Sequence, residues 1–302
     1  QRNMNENDRL IFYLGDFYDN DKKYKNGINV DKLEKKYPKD SGLYNNYVQP
    51  FKNLLKKTDN MNKQFSIELG DIHHIMKENT FAKNRHCNSN SGILLRLFNY
   101  GRHWKGVYDK SQDIPFDNKK NIVFWRGAST GQGCETNKNY LPRFHLMQRW
   151  CDKSSLINVG FSLLVQRGKK EHYRKYLKGN CDKRTMLKHK YILSVEGNDK
   201  DTGLNWKLNS NSVVFMTKPK TSSWLMETKL VPNVHYILIK DDFSDLEQKV
   251  HWCNKNPQKC KEIIKNANNF MKQFKNDEFE KNLEVKVMKY YFDNCKFEDD
   301  SI

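Results

Sequence analysis

Two aspartates follow short apolar runs, at positions where a carboxylate could exchange a proton with a bound substrate. Residues 10–15 precede Asp16 and residues 65–70 precede Asp71, and each run ends in glycine. Each run predicts a strand that leaves its sheet at the glycine and presents the aspartate at its carboxyl end. A carboxylate held in such a position can act as a general acid or base.

A cation and two hydroxyls follow a third apolar run. Residues 121–127 predict a buried strand, and Arg126, Gly127, Ser129 and Thr130 lie at its end. Glycine lets the backbone approach a ligand, hydroxyls can donate to phosphate oxygens, and arginine supplies a forked cation. No GK[ST] follows, which excludes the P-loop NTPases. An ordinary strand-to-helix turn is the alternative, because glycine and serine are common in turns.

A second polar segment contains Gly197, Asn198 and Asp199, between a predicted strand and a predicted helix over 203–209. A glycine with polar neighbours before a helix favours anion binding at the helix N-terminus. Asp199 and Asp201 also form a D-x-D pair, a pattern that holds a divalent cation in many sugar-nucleotide enzymes. Asp199 as a helix N-cap is the simpler interpretation, since aspartate is a preferred cap.

Other titratable residues carry weaker signals. Glu227, in a predicted helix over 224–227, could accept hydrogen bonds from both hydroxyls of a ribose, although solvated helix glutamates are commoner. His73 and His74 are adjacent and point in different directions, which disfavours a metal pair.

The cysteine pattern indicates free thiols and argues against a zinc site. The 7 cysteines include no CxxC pair, which argues against a zinc site. We expect mostly free, partly buried thiols in a reducing compartment. A disulfide between Cys253 and Cys260, which flank Pro257, is the alternative.

Length and composition predict a globular chain of two domains. The chain has 302 residues, of which 37% are hydrophobic and 13% aromatic, enough for packed cores and too many for a disordered protein. No run approaches the roughly 18 apolar residues of a membrane span, and the mean hydropathy is −0.93. We therefore expect no transmembrane segment and a soluble, cytoplasmic protein. An endomembrane lumen is the alternative if a leader preceding Gln1 has been removed.

The chain is strongly basic. Its 54 Lys and Arg outnumber its 36 Asp and Glu, giving a net charge of +18. A basic surface suits phosphate-bearing ligands, anionic polymers or membranes, and the charge alone selects none of these.

Strands and helices alternate along the second half of the sequence. Predicted strands are 121–127, 156–161, 190–197, 213–216 and 234–239; predicted helices are 30–37, 47–55, 141–151, 203–209, 245–253, 257–274 and 278–292. This alternation is typical of a doubly wound parallel α/β sheet, in which ligands bind beyond the carboxyl ends of the strands. Residues 109–120 are polar, contain Pro115, and are predicted to be a linker.

Four sequence blocks in series carry a family resemblance. They include NIVFWRGASTG, KYILSVEGND followed by SNS, WLMETKL and HYILIKDDFSDL, within residues 65–274. In their order and spacing they resemble glycosyltransferase family 90, and the microbial and viral branch more than the animal one.

The resemblance implies a GT-B architecture, two Rossmann-like domains facing each other across a cleft. Residues 1–112 would form the acceptor-side domain, to which 278–302 return, and 113–277 the UDP-sugar domain. It implies an inverting transfer of xylose or glucose, with xylose favoured, to a hydroxyl of a glycan or glycoprotein. A monomer without cofactor, obligatory metal or nucleic-acid partner is expected. The alternative is a non-catalytic basic protein that binds nucleic acid or anionic polysaccharide.

The resemblance also assigns site residues. Asp71 matches the position of the general base in the family, and Asp16 is the second candidate for this role. The expected donor-binding residues are Arg126, Gly127, Ser129, Thr130, Arg143, Gly197, Asn198, Asp199, Lys207 and Glu227. The loop over 131–140 is longer than in the family, and an arginine found in animal members near Asn205 is absent.

Overall fold

The computed structural model describes residues 4–18, 23–24, 27–72, 74–131 and 141–297. Its helices are α1 (Glu6–Leu14), α2 (Val30–Lys36), α3 (Gln49–Lys57), α4 (Pro142–Trp150), α5 (Lys183–Leu187), α6 (Leu204–Leu208), α7 (Leu246–Lys255), α8 (Pro257–Lys272) and α9 (Asp277–Asn294). Its strands are β1 (Lys23–Tyr24), β2 (Ser66–Ile67), β3 (Thr80–Ala82), β4 (Asn84–His86), β5 (Ile93–Leu94), β6 (Lys120–Ala128), β7 (Ile157–Leu163), β8 (His189–Leu193), β9 (Val213–Met216), β10 (Thr221–Ser223), β11 (Ile237–Leu238) and β12 (Lys296–Phe297).

Contacts divide the chain into two compact units. Unit 1 comprises Gln1–Lys105, Thr221–Met226 and Asn276–Ile302, and unit 2 comprises Gly106–Lys220 and Glu227–Lys275. The acceptor-side and donor-side roles given to the two parts of the sequence stay predictions.

Unit 2 is built on a sheet of five parallel strands in the order β11-β9-β8-β6-β7. All four residues of β9 are buried, and Tyr191, Ile192 and Leu193 of β8 are buried beside them. Continuous apolar runs of this kind are typical of parallel strands covered on both faces. The predicted parallel α/β sheet is confirmed, although the predicted strand over 234–239 is reduced to the two residues of β11.

The segment 109–120 is not a linker, because it packs into unit 2. Phe116 joins the core cluster of this unit. The buried ammonium of Lys119 pairs with Asp113 and donates to the carbonyl oxygen of Leu187 at 2.5 Å. Two of the charges that suggested a solvated linker, Asp113 and Lys119, are therefore paired inside the unit.

The cysteines that the structure describes are free, as expected. Cys253 and Cys260 are both fully buried at the α7–α8 turn, and the Sγ of Cys260 lies 3.6 Å from the carbonyl oxygen of Cys253. The alternative of a disulfide between them is therefore not realised. Cys134 lies outside the described residues.

Unit 1 contains a parallel sheet of β2, β3 and β5 and an antiparallel pair of β4 with β10. The predicted strand over 10–14 is wrong, because these residues belong to α1. The Asn5 side chain caps this helix by accepting a hydrogen bond from the Asp8 N–H at 2.8 Å. A run of five apolar residues fits a strand or a buried helix face equally well, and the upstream cap decides for the helix.

The helix also changes the setting of the second candidate base. Gly15 ends α1 with a φ of 59°, a left-handed value that favours glycine. Asp16 follows in a 3₁₀ turn, and its carboxylate accepts a hydrogen bond from the Ser91 hydroxyl at 3.1 Å. Asp16 therefore does not lie at the end of a strand.

Helix α9 contacts α1 through a buried ion pair within unit 1. Arg9 donates to both carboxylate oxygens of Glu280, at 2.6 and 2.8 Å. The indole N–H of Trp224 donates to the same carboxylate at 2.6 Å, and the ring of Tyr13 stacks on that indole at 3.7 Å. The N-terminal helix, the C-terminal helix and the inserted segment 221–226 are thereby fixed to one another.

Residues 224–227 do not form the predicted helix. Trp224 follows β10, Met226 has a φ of 59°, and a 3₁₀ turn begins at Glu227. The indole, predicted to lie on a helix, instead fills the core of unit 1, whereas Glu227 belongs to unit 2.

Glu284 of α9 is a buried acid with an altered proton affinity. Burial raises its pKa to about 7, because the charged carboxylate is poorly solvated there. The Leu97 N–H donates to this carboxylate at 2.7 Å, and the charge of Arg96 also favours ionisation, but neither offsets the effect of burial.

This shift makes stability depend on pH. The pKa of Glu284 rises from 4.5 to about 7 on folding. Between these two pH values, Glu284 keeps its proton in the folded protein but has lost it in the unfolded chain. The free energy of unfolding should therefore fall by about 3 kcal/mol as pH rises through that window. Urea unfolding across the window should show this slope in wild type and in Glu278→Gln, an exposed control on α9, but not in Glu284→Gln. Equal slopes in all three proteins would contradict the assignment.

Candidate functional site

One buried arginine joins the loops at the carboxyl ends of β6 and β8. Arg143, in the first turn of α4, donates through Nη1 to the carbonyl oxygen of Ala128 at 2.9 Å and to the hydroxyl of Thr130 at 2.6 Å. Its Nε and Nη2 donate to the carbonyl oxygen of Val195, at 3.2 and 2.9 Å. The guanidinium thus holds together the edge of the sheet where parallel α/β folds bind ligands.

Gly197 and Asn198 complete this junction. A Cβ atom at Gly197 would lie 2.6 Å from the Thr130 hydroxyl and 3.0 Å from the guanidinium carbon of Arg143, so only glycine fits. The Gly131 N–H donates to the side-chain oxygen of Asn198 at 3.0 Å. The structure therefore brings together four of the residues predicted to bind the donor. Residues 132–140 of the long loop lie outside the described residues.

Arg126, Gly127 and Ser129 are engaged elsewhere. Arg126 donates to the side-chain oxygen of Asn158 on the outer strand β7 at 2.7 Å. A Cβ at Gly127 would lie 2.6 Å from the indole ring two residues earlier. The Ser129 hydroxyl donates to the carbonyl of Val165 and accepts from its N–H, at 2.8 and 2.7 Å. Arg126 and Ser129 are thus hydrogen-bonded within the fold, and Gly127 packs closely against that indole ring.

The D-x-D pair contains a buried ion pair. The Asp201 carboxylate accepts hydrogen bonds from Ser194 Oγ at 2.8 Å and Lys207 Nζ at 2.5 Å. Burial opposes the charge of Asp201, but the Lys207 ammonium outweighs it and holds the pKa of Asp201 below its ordinary value. Lys207 also donates to the Leu193 carbonyl at 2.9 Å. Both ions stabilise the turn after β8.

Helix α6 begins at Leu204, one residue after the predicted start at Gly203. Its N-cap is Gly203, so Asp199 is not the cap and Gly197 does not stand at a helix N-terminus. The expected anion site on a helix dipole after β8 is therefore not formed. Asp199, Asp201 and Glu196 instead surround Arg143 with negative charge, which opposes the lowering of its pKa by burial.

Glu227 pairs with a lysine that sequence analysis missed. Lys200 Nζ lies 2.5 Å from Glu227 Oε1, and each side chain is only 2% exposed. Both line a cavity of about 10 Å³, the room of about one water molecule, together with Ser194, Glu196 and Asp201. Lys200 stands between the two aspartates of the D-x-D, and this alternation of charge is the only sequence signal that could have indicated it.

Asn205 has a buried side-chain amide. The residue is fully buried on α6, and within the described part of the chain neither its nitrogen nor its oxygen has a hydrogen-bond partner. Such a group is costly unless a water or a ligand satisfies it. Asn205 follows Leu204, which lines the cavity, but Asn205 itself is not one of the lining residues.

A larger cavity contains none of the predicted residues. It has a volume of about 550 Å³ and lies against α4, where it is lined by His145, Gln148, Arg149, Lys153 and Asp242.

In unit 1, Asp71 lies in the loop after β2 and contacts a second lysine that sequence analysis missed. Lys83, between β3 and β4, places its Nζ 2.5 Å from Asp71 Oδ1, and its side chain is 5% exposed against 34% for Asp71. The amide of Asn84 donates to the Ile72 carbonyl at 3.0 Å and holds the same loop. Asp71 is therefore a fixed carboxylate that is still open to solvent.

No group of three or more His, Cys, Asp or Glu that could hold a metal ion occurs in the described ranges. No helix within them is long and apolar enough to cross a membrane. His73 lies outside the described residues, and His74 pairs with Glu68 at 3.1 Å.

Comparison with known proteins identifies the family. The sequence model of glycosyl transferase family 90 matches residues 95–297. The chain belongs to glycosyl transferase family 90. This family 90 chain is 34% identical over 236 residues to the O-glucosyltransferase LpsA of Dichelobacter nodosus, covering 77% of the chain and 68% of LpsA.

Viral proteins are also similar to this family 90 chain. It is 29% identical over 232 residues to the uncharacterized protein 179R of Invertebrate iridescent virus 6, covering 66% of the chain and 19% of that protein. It is 27% identical over 167 residues to protein 027R of Frog virus 3, covering 48% of the chain and 17% of that protein. The chain thus spans about two thirds of LpsA and less than a fifth of these viral proteins.

Proposed function

We propose that this family 90 protein is an inverting glycosyltransferase that moves a sugar from a UDP-sugar to a hydroxyl of a glycan or glycoprotein. The observation that carries the proposal is the overlap of the family match, residues 95–297, with the joined loops after β6 and β8. These loops lie at the carboxyl edge of a parallel sheet, where nucleotides bind in α/β folds.

The proposed reaction is one displacement at the anomeric carbon. The acceptor oxygen attacks this carbon, its bond to the diphosphate breaks, and UDP leaves with the electron pair. Asp71 takes the proton of the acceptor hydroxyl, for which its solvent-accessible carboxylate is suited. Cations and amide donors of unit 2 stabilise the leaving diphosphate. The mechanism requires the GT-B arrangement, which is part of the proposal.

The proposal also concerns which sugar is transferred, glucose or xylose. The name of LpsA, an O-glucosyltransferase, favours glucose, whereas the resemblance to the microbial and viral branch favoured xylose. The two sugars differ by one hydroxymethyl group, so a few residues of the pocket wall decide between them. Transfer rates with UDP-glucose and UDP-xylose at equal concentration distinguish the two donors.

A thermal-shift experiment tests the function. UDP, UDP-glucose and UDP-xylose are expected to raise the melting temperature as their concentration passes the dissociation constant, because they bind the folded protein alone. Duplex DNA at matched phosphate concentration serves as the control. Stabilisation by DNA that is lost steeply with salt, without a response to nucleotides, would favour the non-catalytic basic binding protein instead.

Transfer should not need a divalent metal. Asp201, one half of the D-x-D, is already neutralised by Lys207, so we expect activity to persist in EDTA. Loss of activity with chelator and its recovery with Mn²⁺ or Mg²⁺ would contradict this expectation and assign the D-x-D as a metal ligand set.

A further inference from the structure

The excess positive charge of the chain is concentrated in one segment. Residues 166–190 contain ten Lys and Arg and two Asp and Glu, a net charge of +8 out of +18 for the whole chain. This segment follows β7, the outer strand of the sheet in unit 2, and extends to β8. The charge is therefore not a uniform background.

Aromatic side chains hold the segment against unit 2. The rings of Tyr173 and Phe144 lie 4.7 Å apart, and those of Tyr176 and Phe161 lie 6.3 Å apart. The Lys178 N–H donates to the Phe161 carbonyl at 2.8 Å. These contacts fix the backbone, and Lys169, Lys170, Arg174 and Lys175 are exposed along it.

Several of its cations are available for an external anion. Arg174 pairs with Glu171, and Lys178 pairs with Asp152. Lys169, Lys170 and Lys175 are exposed, and no carboxylate of the described residues forms an ion pair with them. The segment therefore presents exposed ammonium groups that no carboxylate of the described residues neutralises.

Two leucines on this surface are also exposed. Leu163, at the end of β7, is 55% exposed, and Leu177 is 43% exposed. Leu177 pairs in parallel with Phe161 of β7, which places its backbone beside that strand. Leucines exposed among lysines match the composition of protein surfaces that lie at a membrane interface.

We propose that residues 163–178 form a binding surface for an anionic lipid bilayer. Lysines attract the negative headgroups, and leucines can enter the boundary between headgroups and acyl chains. The leucines favour a bilayer over nucleic acid, since a phosphate backbone offers no apolar phase to receive them. The proposal does not depend on the transferase activity, because it concerns the outer edge of unit 2.

Vesicle co-sedimentation of the purified chain tests this surface. We expect binding to vesicles of phosphatidylcholine with phosphatidylglycerol and none to phosphatidylcholine alone. Lys169→Glu with Lys175→Glu should weaken binding at least about 30-fold, since each cation near an anionic membrane contributes about fivefold. The matched control, Lys255→Glu with Lys265→Glu, changes the net charge equally on exposed positions of α7 and α8 and should retain most of the binding.

A second pair of variants tests the leucines. Leu177→Ser should weaken vesicle binding about fivefold, whereas Val234→Ser, at another exposed apolar position of unit 2, should not. Urea unfolding confirms that each variant is folded. Absence of binding to anionic vesicles, or equal losses in the two charge-reversal variants, would overturn the proposal. Insensitivity to Leu177→Ser together with equally tight binding of duplex DNA would also overturn it, in favour of a polyanion site.

Discussion

Replacing Asp71 by asparagine is expected to lower the rate of sugar transfer by about 10²- to 10⁴-fold while UDP still stabilises the protein. The substitution removes the proton acceptor with little change in shape. The UDP response should persist, because Asp71 belongs to unit 1 and the proposed nucleotide-binding loops belong to unit 2. Transfer assays and thermal shifts on the same preparation measure both effects.

Asp16→Asn is the matched control for this prediction. Asp16 also follows a glycine, but it lies behind a helix and accepts a hydrogen bond from Ser91. This variant should retain transfer close to wild type. Normal turnover by Asp71→Asn combined with loss in Asp16→Asn would reassign the base to Asp16. Loss of the UDP response in Asp71→Asn would show that the substitution disturbs more than proton transfer.

Local patterns predicted the sheet of unit 2 well because its strands contain apolar runs that are bounded by turns. Residues 213–216 were predicted as a strand and form β9 with these bounds, since four consecutive buried residues rich in valine fit a two-sided sheet. The strand prediction for residues 10–14 was wrong because it overlooked the helix cap at Asn5, and because these apolar residues form a helix face that contacts α9. That contact joins residues more than 260 positions apart, which no window of sequence contains.

Backbone geometry made one residue of the candidate site predictable. Gly197 was found because a glycine after a strand indicates a close approach, and here it approaches Thr130 and Arg143. The partners of charged side chains were not predictable. Lys83 and Lys200 were missed, because a lysine in a basic sequence carries no sign that it will be buried beside a particular carboxylate.

Breaking the Lys200–Glu227 pair is expected to destabilise unit 2 by about 3–5 kcal/mol, because the remaining ion would be buried without its counter-charge. Glu227→Gln and Lys200→Met should each show this loss in urea unfolding. The double variant should lose less than the sum of the two, since it removes both ions. This non-additivity measures the coupling between the two side chains.

An exposed pair in the same unit provides the control. Lys259 and Glu262 lie 2.8 Å apart on α8 with side chains about 60% exposed, so Glu262→Gln should cost no more than about 1 kcal/mol. The comparison also decides between two roles for Glu227. If Glu227 mainly accepted ribose hydroxyls, Glu227→Gln would weaken the UDP response and leave the free energy of unfolding near wild type. We expect a large loss of stability instead, because the carboxylate that was predicted to face the nucleotide is bound to Lys200.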